Sequence, residues 1–158
     1  MLDRFTDRAR KVMALAKEEA LAQHSTKVGT EHLLLALAKE QEGIAAEALR
    51  DLEISYEDIL SQLTEMRTTV PGEQPEAEAA KLAFTPRVIA VMERSFRLAR
   101  ENNQTYVSTE HLLLAIVDEG NGMATDILKR LGVSGASVHA AVDKLTAKDQ
   151  GHGRPMAG

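Results

Sequence analysis

The chain has 158 residues, a formal charge of −5 and a pI near 5.6; 44% of its residues are apolar, 3% are aromatic, and it holds neither Cys nor Trp. Without cysteine there are no disulfides, thiolate metal sites or Cys nucleophiles. With 8 basic and 13 acidic groups over 1–66, and 9 and 8 over 84–158, neither half offers the basic face that nucleic acid requires.

A core so poor in aromatics is filled by Leu, Ala, Val, Ile and Met, which favour packed helices. Met1-Leu2-Asp3-Arg4-Phe5 leads into an amphipathic segment rather than a signal peptide. No run approaches the roughly 18 apolar residues of a membrane span, so a cytoplasmic protein is expected.

In chain order, Phe5, Ala9, Val12, Met13, Ala16 and Ala20 lie at helical spacing and predict a first helix from Asp7 to about Gln23, N-capped by Thr6. A second helix starts at Thr30, with Glu31 in its first turn, where a carboxylate suits the positive end of the dipole. A third carries Ile44, Ala48, Leu49 and Leu52; a fourth follows the N-cap Ser55 with a stripe of Ile59, Leu60, Leu63 and Met66. Residues 67–83, with Val70-Pro71-Gly72 and Pro75, read as a solvated linker with a short helical turn near its end.

The pattern then repeats at an offset of 79. Phe5-Thr6-x-Arg8 returns as Phe84-Thr85-x-Arg87, and Thr30-Glu31-His32-Leu33-Leu34-Leu35-Ala36 returns as Thr109-Glu110-His111-Leu112-Leu113-Leu114-Ala115. Of the 62 positions from 5 to 66, 21 match their partners without a gap. Thr85-Pro86 puts a capping hydroxyl before a proline at the first helical position. Met123, Ile127, Leu128 and Leu131 form the stripe of the seventh helix, and Ser134 caps the eighth. The expected fold is all-α: repeats at 1–66 and 84–146, related by a pseudo-twofold axis in one compact eight-helix domain, with a flexible tail at 147–158. Each half then covers the other's exposed core face, so a monomer is expected.

Catalytic constellations are missing from the sequence. It has no phosphate-binding loop and no nucleophile elbow. His32 and His111 each sit beside a glutamate, but consecutive helix residues point about 100° apart, which is poor chelating geometry. They read as structural histidines near helix starts, and His24, His139 and His152 have no ligand partners at useful spacing. The two triple-leucine runs read as core, and so do Met13, Met92 and Met123, although methionines also suit an adaptable peptide groove. Glu31 and Glu110, read from the residues alone, are helix-start carboxylates. A non-enzymatic module with no cofactor and no metal is expected.

The Phe-Thr-x-Arg opening, the Thr-Glu-His-Leu-Leu-Leu helix, the following Gly-x-Ala and the 79-residue duplication resemble the Clp N-terminal repeat domain, nearest the ClpC branch of the AAA+ unfoldases, over residues 1 to about 146. Gly29 is matched by Ser108 where the family has glycine in both copies. The resemblance implies docking of substrate and adaptor proteins for a Clp ATPase ring and its protease, binding of phosphorylated arginine, and recognition by cyclic-peptide antibiotics. It places the phosphoarginine glutamates on Glu31 and Glu110. The hydroxyls of Thr6, Thr30, Thr85 and Thr109, at helix starts, are suited to help hold a phosphate. A freestanding repeat protein that sequesters substrates, adaptors or cyclic peptides from the unfoldase is the alternative, which the continuation of the reading frame would decide.

Overall fold

The computed structural model describes residues 2–66 and 82–151, the last four by backbone alone. Eight α-helices run through the described residues: α1 (Asp7–Ala22), α2 (Thr30–Glu40), α3 (Ile44–Asp51), α4 (Tyr56–Met66), α5 (Pro86–Glu101), α6 (Thr109–Glu119), α7 (Met123–Arg130) and α8 (Gly135–Gly151). Their starts follow the local sequence. Thr6 Oγ1 accepts the Ala9 N–H (3.1 Å), and Thr85 Oγ1 accepts that of Val88 (3.2 Å) ahead of Pro86. Ser55 and Ser134 cap α4 and α8 through the N–H groups of Asp58 (3.0 Å) and Ser137 (3.1 Å). Each such cap stabilises its helix by about 1 kcal/mol.

Helices α2 and α6 form the centre. Leu33, Leu34 and Leu35 are fully buried, and so are Leu112 and Leu113, so both triple-leucine runs are core. Met13 and Met92 are buried there as well, whereas Met123 is only half-buried. Helix α1 packs on α2 within the first repeat and α5 on α6 within the second, while α3 packs on α6 and α8, and α7 on α2 and α4, across the repeats.

Short arms exchanged between the repeats join them further. Strands β1 (Lys27–Val28) and β2 (Ala83–Phe84) pair in parallel. Their counterparts 79 residues away form the Phe5↔Val107 bridge. The Thr85 N–H donates to the Val28 carbonyl and the Thr6 N–H to that of Val107, both at 2.9 Å. Phe5 packs edge-on against Phe96 of the second repeat at 5.5 Å, and Lys17 of the first lies 5.2 Å from the Phe84 ring centre.

The eight-helix, pseudo-twofold architecture expected from the duplication is therefore the one observed. Its boundaries differ in two places. Leu82 is buried and Ala83 is in β2, so the end of the expected linker belongs to the second repeat's arm, because it occupies the place that Asp3 and Arg4 take in the first. Helix α8 runs through 147–151, into the expected tail, where Lys148, Asp149 and Gln150 put no β-branched residue or proline in its way. The Pro-Gly part of the linker, 67–81, and the tail from 152 on lie outside the described residues.

A further exchange between the repeats is a pair of helix caps. Gly43 and Gly122 precede α3 and α7 and have no side chain with which to cap them. Thr109 Oγ1 accepts the Ala45 N–H (3.3 Å) instead, and Thr30 Oγ1 accepts that of Ala124 (3.2 Å), each from the opposite repeat. A Cβ on Gly43 would lie 2.4 Å from Thr109 Oγ1; one on Gly122 would lie 2.9 Å from Thr30 Oγ1, on a backbone already at φ +113°. Gly43→Ala should cost about 1–3 kcal/mol by overpacking, and Thr109→Ala about 1 kcal/mol through the lost cap. The double variant should lose less than the sum, because the new methyl enters the space the threonine leaves. Urea unfolding of the four proteins measures this coupling, and strict additivity would show the two positions to be independent.

Candidate functional site: two grooves between the repeats

The N-terminus of α2 does not face open solvent alone. Glu31, with Thr30 and His32, lines an open groove of about 860 Å³ whose other wall is Thr85, Pro86 and Arg87 at the start of α5. A second groove of about 660 Å³ sets Glu110 and Thr109 of α6 against Thr6, Asp7 and Arg8 at the start of α1. The two are counterparts under the 79-residue shift, and each takes its glutamate from one repeat and its Thr-x-Arg from the other.

The six residues expected at a site are thus brought together in two sets, Glu31, Thr30 and Thr85 in one and Glu110, Thr109 and Thr6 in the other. Their roles differ. Thr6 and Thr85 are half-buried caps on the groove walls. Thr30 and Thr109 are buried at 4% and 3% exposure, and their hydroxyls accept the exchanged caps. Glu31 is half-buried, whereas Glu110 is buried. The Glu31 carboxylate folds over Gly29, where a Cβ would meet its Oε1 at 2.3 Å. Ser108, the counterpart of Gly29 with nearly the same backbone angles, carries a Cβ, so Glu110 cannot fold back in the same way.

Two residues the sequence reading passed over complete the grooves. Arg8 and Arg87 were visible as the fourth position of the repeated Phe-Thr-x-Arg, but nothing in the sequence said that each would line a groove with the other repeat's glutamate. Arg8 is clamped by Glu40 (Nε to Oε2, 3.0 Å) and Glu42 (Nη2 to Oε1, 3.2 Å). Glu119, the counterpart of Glu40, pairs instead with Arg94 at 3.0 Å.

His32 and His111 brace the helix starts. Their Nδ1 atoms accept the backbone N–H of Gly29 and Ser108, both at 2.9 Å, which places the ring proton on Nε2. They fill the position that Glu or Gln holds in a capping box. Burial pushes the His111 imidazole down to about 4. Among the described residues no group of three His, Cys, Asp or Glu could hold a metal ion, and no helix is long and apolar enough to cross a membrane. His139, on α8, donates from Nε2 to Asp118 Oδ1 at 2.7 Å.

A carboxylate facing an arginine across two helix N-termini can hold a guest that carries both a guanidinium-like donor and an anion, because the first N–H groups of a helix have no partner within it. Fold and grooves together define a duplicated, all-helical domain. The chain belongs to the Clp repeat N-terminal domain family, which matches residues 4–131 and 83–156. It is 44% identical over 134 residues to the negative regulator of genetic competence ClpC/MecB of Bacillus subtilis, covering 85% of this chain and 16% of that protein. To the chaperone protein ClpB of Oceanobacillus iheyensis it is 42% identical, with the same coverage. The chain therefore spans about a sixth of the length of these relatives. In structure it matches the N-terminal domain of the ClpD chaperone from Arabidopsis thaliana with a TM-score of 0.77 at 21% identity, over 93% of this chain and 97% of that one.

The depressed His111 value makes a pH prediction. The unfolded imidazole titrates near about 6.5 and the folded one near 4, so between these values the unfolded chain binds the extra proton. This contribution to stability is fully present above about pH 6.5 and is lost as the pH falls toward 4, by up to about 3 kcal/mol. His111→Gln keeps an acceptor for the Ser108 N–H, and denaturant midpoints across this window should show a flatter slope than in the parent protein.

Proposed function

We propose that this chain is a recognition module that docks substrate and adaptor proteins for a Clp ATPase ring, and that phosphorylated arginine is the guest of its inter-repeat grooves. The module does no chemistry of its own: it presents bound proteins to an unfoldase and protease that lie beyond it, in a cytoplasmic setting. Cyclic peptides that mimic such guests would compete at the same face.

The single observation that carries this reading is the composite build of each groove, with a glutamate from one repeat set against a Thr-x-Arg helix start from the other. The carboxylate supplies acceptors for the planar guanidinium donors, and the arginine and helix N-termini attract the phosphoryl group. A lone helix-start glutamate meets only the first requirement, and its default role is to complement the dipole.

Titration calorimetry with free phosphoarginine should show binding to the parent chain that Glu31→Ala plus Glu110→Ala removes with helicity retained. Each substitution also deletes a favourable helix-start charge of about 0.3–1 kcal/mol, so thermal stability is measured alongside. Unchanged binding by the double variant would relocate the site, and no binding by the parent protein would leave adaptor docking as the main role.

A further inference from the structure

We infer that the two grooves have diverged, and that the Glu31 groove is the one that admits a phosphorylated guest while the Glu110 groove is closed to it. This rests on the phosphoarginine reading above and assigns the site at which it operates.

Charge separates the grooves. The Glu110 groove is lined by four carboxylates, Asp7, Glu40, Glu42 and Glu110, against the two cations Arg8 and Lys11, a balance of 2 − 4 = −2, with Asp7 also paired to Arg10 outside the wall. The Glu31 groove has Glu31 and Glu119 against Lys27 and Arg87, a balance of 2 − 2 = 0. A phosphoryl group brings close to two negative charges at neutral pH, and at contact distances near a protein surface each excess carboxylate opposes it strongly.

Geometry widens the gap. The Arg8 guanidinium that should meet the phosphoryl group is taken up by Glu40 and Glu42. Glu40 cannot swing away: its side chain is 2% exposed, and its other oxygen accepts the N–H groups of Gly43 (2.8 Å) and Glu42 (3.1 Å). In the Glu31 groove, the corresponding Glu119 is drawn off to Arg94, which is not part of the groove wall. Glu31 is also the less buried of the pair.

The test is calorimetry of the parent chain and two variants with free phosphoarginine, their fold checked by circular dichroism. One binding event per chain is expected. Glu31→Gln should weaken it at least about tenfold, a loss of 1.4 kcal/mol or more. Asp7→Asn combined with Glu42→Gln, both at exposed positions, neutralises the excess charge and should raise the stoichiometry toward two. Two equal events in the parent, or one that survives Glu31→Gln undiminished, would overturn the assignment and leave the phosphoarginine reading standing. Absence of binding by the parent and by the charge-neutralised variant would remove that reading itself.

Discussion

The two exchanged threonine caps are the constraint on which the rest of the molecule is arranged. An α-helix leaves its first N–H groups without partners, and a glycine N-cap cannot supply a side-chain acceptor. With Gly43 and Gly122 at those positions, α3 and α7 take their caps from Thr109 and Thr30 of the opposite repeat. The missing Cβ atoms are what let α2 and α6 approach closely enough. This fixes the ends of α2 and α6 against the other repeat to within a hydrogen bond. Because consecutive helix residues point about 100° apart, a threonine turned inward sends the next residue elsewhere. Glu31 and Glu110 are consequently turned into the seams between the repeats, facing the starts of α5 and α1.

Away from this framework the repeats have drifted apart. In the first, Glu19 is buried at 3% exposure, accepts the Tyr56 hydroxyl at 2.7 Å and pairs with Lys39 at 3.1 Å. Burial, and then the hydrogen bond to Glu19, push the Tyr56 phenol above its ordinary value. The corresponding positions of the second repeat hold Leu98, Gly135 and Asp118, and Asp118 turns to His139. A buried ionic strut in one copy is thus an apolar contact and a half-exposed pair in the other. Neither arrangement disturbs the core, since a buried charge is tolerated when its partners satisfy it. The arms show the same drift: Phe5 meets Phe96, while Phe84 meets Lys17.

How much of this could be read from the chain follows from the range of each interaction. Thr6, Thr85-Pro86, Ser55 and Ser134 bond to groups three residues away, and the sequence displays both partners together. The triple leucines announce core because three adjacent residues cover most of a helix. The bond from Ala45 to Thr109 joins residues 64 apart in sequence, and that from Ala124 to Thr30 joins residues 94 apart. No local rule pairs them, so their hydroxyls looked available to a ligand. Arg8 and Arg87 were hidden for a related reason, since a repeat detected within one chain does not say whether its parts face their own copy or the other. Side-chain burial was equally illegible: Glu31 and Glu110 stand in identical seven-residue motifs, and Ser108 in place of Gly29 separates the space open to them.

Because each groove takes its carboxylate from one repeat and its arginine and helix start from the other, neither repeat forms a groove alone. The duplication therefore does more than bury a second apolar face. It creates two composite grooves at once, both held in register by the same exchanged caps. Once the caps secure that register, the charges around each groove can change independently, for they lie at the ends of side chains that the caps do not use. Glu40 locked onto Arg8, and Glu119 drawn away to Arg94, are the two outcomes of that freedom within one molecule.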